Sequence, residues 1–231
     1  MQNFSTISGS QPLSLSKSTE SQVYGLFAVA MALTVGGVAI GMQYSDILLS
    51  TGIYILLIIG QLGLIFTSRL WVEKSPLNFL LFGLFPIFSG LSITPLIISV
   101  LTGYANGSTI LLNALSATAF MAGASAVFAK TTSWNLGVMG KALFFAIIGL
   151  IVMGLLQMFV PALRTTQMEL MISGAGIIIF AGFTAYDVQR ISGLASKGYN
   201  PIMLALSLYL DIFNLFIYIL RFMLVLSGDR R

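Results

Sequence analysis

The 231-residue chain has no cysteine and no histidine, and only 8% of its residues are charged. Without cysteine there is no disulfide, iron–sulfur cluster or thiol nucleophile, and nothing in the chain reports its redox compartment. Without histidine there is no Ser-His-Asp triad, histidine-ligated zinc or globin-type haem. The usual sensor of near-neutral pH is also missing, so a proton sensor working there has to be built from carboxylates. The scarcity of charge excludes more. A soluble domain carries roughly 25% charged residues. Here 57% of side chains are hydrophobic and the mean hydropathy is +0.98, so the chain cannot cover a surface that faces water. Nor does the net charge of +4 gather into a basic face for nucleic acid.

What is present is a series of apolar runs. A membrane-spanning helix needs about 20 mostly apolar residues. Seven segments qualify, at 22–42, 47–68, 77–101, 108–129, 137–160, 167–189 and 202–226. Only helices and closed barrels satisfy their backbone in lipid, and runs this long exclude barrel strands. The expectation is an all-α membrane protein, a single bundle of seven transmembrane helices over 22–231. Residues 1–21, rich in Ser, Thr, Gln and Gly without hydrophobic periodicity, read as a flexible polar tail. They lack the basic start and apolar run of a secretory signal peptide.

Loop charge gives an orientation. One side collects Lys17, Arg69, Lys74, Lys130, Arg190 and Lys197, the other Arg164, Arg230 and Arg231. By the positive-inside rule the N-terminus is expected in the cytoplasm. If one segment only dips into the bilayer, both termini share a side. Gly37 and Gly41, and the small residues from Ala114 to Ala126, are packing devices that let helices approach closely. Pro86 and Pro95 are expected to bend the third segment.

Charges inside the apolar runs are the functional candidates, because an ionisable group in the bilayer is costly. Asp211 lies nine residues into the seventh segment, about 14 Å below its edge at the helical rise. Ser207, Asp211, Asn214, Tyr218 and Arg221 follow at spacings of four, three, four and three, which places them on one helix face. The stripe lines a polar path or forms an interhelical hydrogen-bond seam. Asp187, at the end of the sixth segment, lies on the same side as the start of the seventh. Two carboxylates meeting in a poorly hydrated site cannot both ionise cheaply, so they would share one proton. The other reading of Asp187 is a solvated helix end paired with Arg190. Arg69, ending the second segment, is either a third charge able to pair with an aspartate or a membrane anchor. Gln61 and Gln157 read as packing contacts, and Glu169 as a carboxylate suited to a helix N-terminus. No EF-hand or phosphate-binding loop is present, so any calcium site must be a sparse set of oxygens within the bundle.

At these residues the sequence resembles the transmembrane Bax-inhibitor-motif family in its bacterial, seven-helix branch. PIMLALSLYLDIFNLFIYILRFM at 201–223 and GFTAYDVQRI at 182–191 carry the resemblance, with an echo in FSGLSITPL at 88–96. It spans about residues 22–226. It implies a bundle whose last helix sits near the centre, in a bacterial cytoplasmic membrane, and a calcium leak controlled by two aspartates that share a proton. Asp187 and Asp211 match that pair, and serve as pH sensor, gate and calcium-handling oxygens. Arg69 matches the latch, while Ser207, Asn214, Tyr218 and Arg221 stand as a polar stripe on the spacing alone. Many members carry Glu near Gln61, so an acidic site along the path is absent here. The implied partners are calcium ions, protons and the lipid bilayer, with no cofactor. Two other functions fit parts of the pattern. An intramembrane aspartyl protease also needs two aspartates on consecutive helices, one following a Tyr as in Tyr186-Asp187. Its PAL triplet occurs at 161–163, but ahead of both aspartates, and no GxGD surrounds Asp211. A regulator that binds membrane proteases or stress-response proteins would need no transport at all.

Overall fold

The computed structural model describes residues 19–50, 52–195 and 199–228. Most of the expected polar tail, with Lys17, Lys197, Arg230 and Arg231, lies outside these residues. The described residues are mostly helical, joined by short turns, without a strand. The helices are α1 (Thr19–Gln43), α2 (Ser45–Ser50), α3 (Ile53–Phe66), α4 (Ser68–Trp71), α5 (Leu77–Gly103), α6 (Gly107–Thr131), α7 (Met139–Phe159), α8 (Thr166–Ala195) and α9 (Pro201–Ser227).

Six of them, α1 and α5 to α9, are long and apolar enough to cross a membrane. The expected second span is broken instead. Its apolar stretch becomes α3, 14 residues or about 21 Å long, against a hydrocarbon core of about 30 Å. At its start Gly52 takes a left-handed turn (φ 68°), and at its end Thr67 interrupts the helix before α4. The sixth expected segment, by contrast, runs on to Ala195. That extension matters for the site. Asp187 stands eight residues from the C-terminal end of α8 and Asp211 ten residues into α9. At the helical rise they lie at similar depths of about 12 and 15 Å.

Packing follows residue size. α1 lies against α5 where Gly37 meets Gly90; a Cβ on Gly90 would strike the Thr34 carbonyl and come within 2.8 Å of Val38 N. Gly41 leaves room for Thr94 in the same way. With no apolar driving force between helices in lipid, such close approach is what holds them. α9 packs against α1, α5, α6 and α8, whereas α3 and α7 lie at the periphery. Fittingly, α3 buries only Leu57, while α9 buries ten residues, among them Tyr209, Leu215 and Leu220. Large side chains that remain uncovered, such as Phe120 and Ile178, form the apolar exterior a bilayer requires.

The start of α9 is fixed by its own sequence. The Asn200 side chain accepts the Ile202 amide at 2.9 Å as an N-cap, and Pro201 takes the first helical position, where its missing N–H costs nothing. The same side chain donates to the Val72 carbonyl at 3.0 Å, and so ties α9 to the link before α5.

Candidate functional site

α8 and α9 run antiparallel and bring Asp187 and Asp211 together. Both are buried, with 3% and 6% of their surface exposed. Each stands in the other's immediate surroundings, and Ser207 of α9 joins them beside Asp187. Asp187 Oδ1 pairs with Arg190 Nη1 at 3.5 Å, one helical turn along α8. Oδ2 of Asp187 and Oδ2 of Asp211 have no hydrogen-bond donor. Among the described residues these are the two buried side-chain atoms left in that condition. A buried acceptor with no donor is destabilising by about 1–3 kcal/mol. A proton on one of the two carboxylates would be a donor that the other can accept.

Arg190 separates the pair from the surface. Its side chain is 38% exposed and lines a pocket of about 330 Å³ with Asn135, Tyr186 and Gln189. Gln189 shapes that pocket: its Oε1 accepts the Leu136 amide at 2.8 Å and its Nε2 donates to the Trp134 carbonyl at 2.9 Å. The cation at the aspartates is thus Arg190. Arg69 lies exposed in α4 and makes no ion pair among the described residues. Asp187 combines features of both readings of it: it pairs with Arg190, yet it is buried rather than a solvated helix end.

The remainder of the α9 stripe is partly buried and divides into two kinds of contact. Asn214 satisfies itself by donating to the Leu210 carbonyl at 2.8 Å. Tyr218 stacks on Phe180 of α8 at 5.5 Å between centroids, and its ring lies so close over Gly176 that a side chain there would collide with it. Arg221 reaches across to α8, where its Nε meets Glu169 Oε1 at 2.9 Å. Glu169 therefore has a charged partner on another helix, which its position in the first turn did not announce.

A second polar group was hidden from sequence reasoning. Gln61 of α3 donates to Ser89 Oγ at 2.7 Å and accepts from Ser92 at 2.9 Å. Ser89 lies beside the hydroxyl of Tyr209, which is wholly buried. That hydroxyl lies 2.7 Å from Thr34 Oγ1; since Thr34 spends its own proton on the Ala30 carbonyl, Tyr209 is the donor. The signal in the sequence was weak: neutral polar residues on four helices, with nothing in their spacing to join them.

Metal ligation can be judged from the donors. No group of three or more acidic ligands occurs among the described residues. Calcium prefers six to eight oxygens, so the aspartates suit a passing cation better than a resident one. The PAL triplet forms a 3₁₀ turn, Pro161–Leu163, ahead of α8, and α8 rises about 30 Å between its first turn and Asp187. That distance removes it from the aspartates.

Residues 17–228 match the family described as inhibitor of apoptosis-promoting Bax1. An uncharacterized protein of Campylobacter jejuni is 37% identical over 201 residues, covering 86% of this chain and 84% of its own. The inner membrane protein YbhL of Escherichia coli is 30% identical over 226 residues, covering 91% of each.

Proposed function

The chain belongs to the Bax inhibitor-1 family of membrane proteins, and on that footing we propose that it is a passive calcium leak, gated by a proton shared between Asp187 and Asp211. The carrying observation is the pair of facing carboxylates, each buried with an oxygen that lacks a donor. With the proton in place, one hydrogen bond joins α8 to α9. Without it, two like charges face each other in a poorly hydrated site and repel. The helix pair thus has two states separated by a proton, and a ligand that binds one state better shifts the balance between them. Acidic oxygens along a path favour cations over anions. The lack of any nucleotide-binding motif fits a leak with no energy coupling.

In this reading α9 is the axial helix, which accords with its burial and its four long neighbours. Arg190 holds Asp187 in the state described here, and Arg69 is the cation available to an aspartate once the pair separates. The protein is an integral component of a bacterial inner membrane with its N-terminus in the cytoplasm, and it is not an enzyme.

Calcium flux into dye-loaded liposomes, across pH 5 to 8, tests the proposal. Wild type should give flux that varies with pH, and Asp211→Asn should give flux that does not. Flux no greater than in empty liposomes at every pH would refute the leak and favour a regulator that acts by binding.

A further inference from the structure

At the end of the bundle remote from the aspartates, α5, α7, α8 and α9 leave a cleft of about 1000 Å³. Its walls are apolar, with Leu96, Leu155 and Leu224, and its charged residues are Arg164, Glu169 and Arg221. Two guanidiniums to one carboxylate leave a net positive charge. Arg221 engages Glu169 through Nε, and among the described residues its two Nη groups have no partner. Arg164 is held rigidly. Its Nε donates to the Gln157 carbonyl at 2.6 Å and its Nη2 to the Met158 carbonyl at 2.7 Å, at the C-terminal end of α7. One further nitrogen, Nη1, remains.

These facts specify a ligand. Guanidinium donors spaced along a rim match a phosphate, which they bind through charge-assisted hydrogen bonds. The apolar walls match an acyl chain, and the helix ends put the boundary between the two at the level of the membrane interface. Basic pockets between transmembrane helices bind lipid headgroups on the cytoplasmic side of membranes, and the same donor chemistry is present at this end of the bundle. A soluble anion would gain nothing from the walls. A cation would be repelled by the rim, since arginine-lined mouths favour anions.

We propose that this cleft binds an anionic phospholipid, with its phosphodiester on Arg221 and Arg164 and an acyl chain along Leu96, Leu155 and Leu224. Glu169 limits the affinity by occupying Arg221. The site stands whether or not the aspartates gate a leak.

Native mass spectrometry of the purified full chain, titrated with phosphatidylglycerol, phosphatidylcholine or sn-glycerol 3-phosphate, tests this. Phosphatidylglycerol should saturate at one molecule per chain. Phosphatidylcholine should bind at least about fivefold more weakly, and glycerol phosphate should not bind. Arg164→Gln should weaken phosphatidylglycerol binding about fivefold, the effect of one basic residue near an anionic lipid. Glu169→Gln leaves both guanidiniums in place and should tighten binding by a similar factor, an effect that a merely structural ion pair would not produce. Equal binding of the two lipids, glycerol phosphate bound as tightly as phosphatidylglycerol, or no tightening in Glu169→Gln would each overturn the proposal.

Discussion

Replacing Gly90 with alanine puts a single methyl group into the contact between α1 and α5. Its new Cβ would strike the Thr34 carbonyl and stand 2.8 Å from Val38 N and 2.9 Å from Gly37 Cα. All three obstacles are backbone, so no side-chain rotation relieves them. The helices have to part by about 1 Å before the contacts become ordinary. Overpacking of this kind costs typically about 1–3 kcal/mol. The movement also pulls Thr34 from the Tyr209 hydroxyl, 2.7 Å away, and a hydrogen bond is worth about 0.5–1.5 kcal/mol. The total is about 2–4 kcal/mol. For a chain of this size it lowers the melting temperature by roughly 5–15 °C, which fluorescence-detected gel filtration after heating can measure. Gly36→Ala is the control, since a Cβ there meets nothing within 4 Å; it should be neutral, or stabilising by up to about 1 kcal/mol through helix propensity. Equal melting temperatures for the two variants would refute the account of α1–α5 packing.

Other predictions concern the polar contacts. Gln61→Ala removes the two hydrogen bonds that tie α3 to α5, so hydrogen exchange should rise across residues 53–66 and stay unchanged in α9; equal protection in both variants of α3 would show that apolar packing alone holds it. Gln189→Ala leaves the buried Leu136 amide without its acceptor, a loss of about 1–3 kcal/mol, and should speed tryptic cleavage at Lys130 and Lys141. Arg190→Gln breaks an ion pair whose basic partner is more than a third exposed, so unfolding stability should change by no more than about 1 kcal/mol; a larger loss would mean that Arg190 is essential to the fold and not only to the charge balance of the pair.

Apolar runs of about 20 residues located six of the helices to within a few residues at most ends, because in lipid the backbone has no alternative to the helix. The broken span was harder. Residues 53–66 are apolar apart from Gln61, and only the Ser50-Thr51-Gly52 step marks the break. Hydropathy averages across such a step. The polar stripe on α9 was legible because it depends on one helix alone. Its partners were not, because they depend on how α8 and α9 meet. Extending α8 to Ala195 brought Asp187 level with Asp211 and carried Arg190 with it, one turn further along. Glu169 met Arg221 for the same reason, at the other end of the same interface. Gln61, Ser89, Ser92, Tyr209 and Thr34 come from four helices, and only tertiary structure assembles them.

The central claim is that one proton joins Asp187 to Asp211 and that its loss changes the leak. Infrared difference spectroscopy of the reconstituted protein, titrated with pH, measures protonated carboxyl groups directly. The account predicts a protonated-carboxyl band that is present in wild type, absent in Asp211→Asn, and lost over the same pH interval in which calcium flux changes. A band that survives the substitution, or one that titrates in an interval where flux is constant, would contradict it.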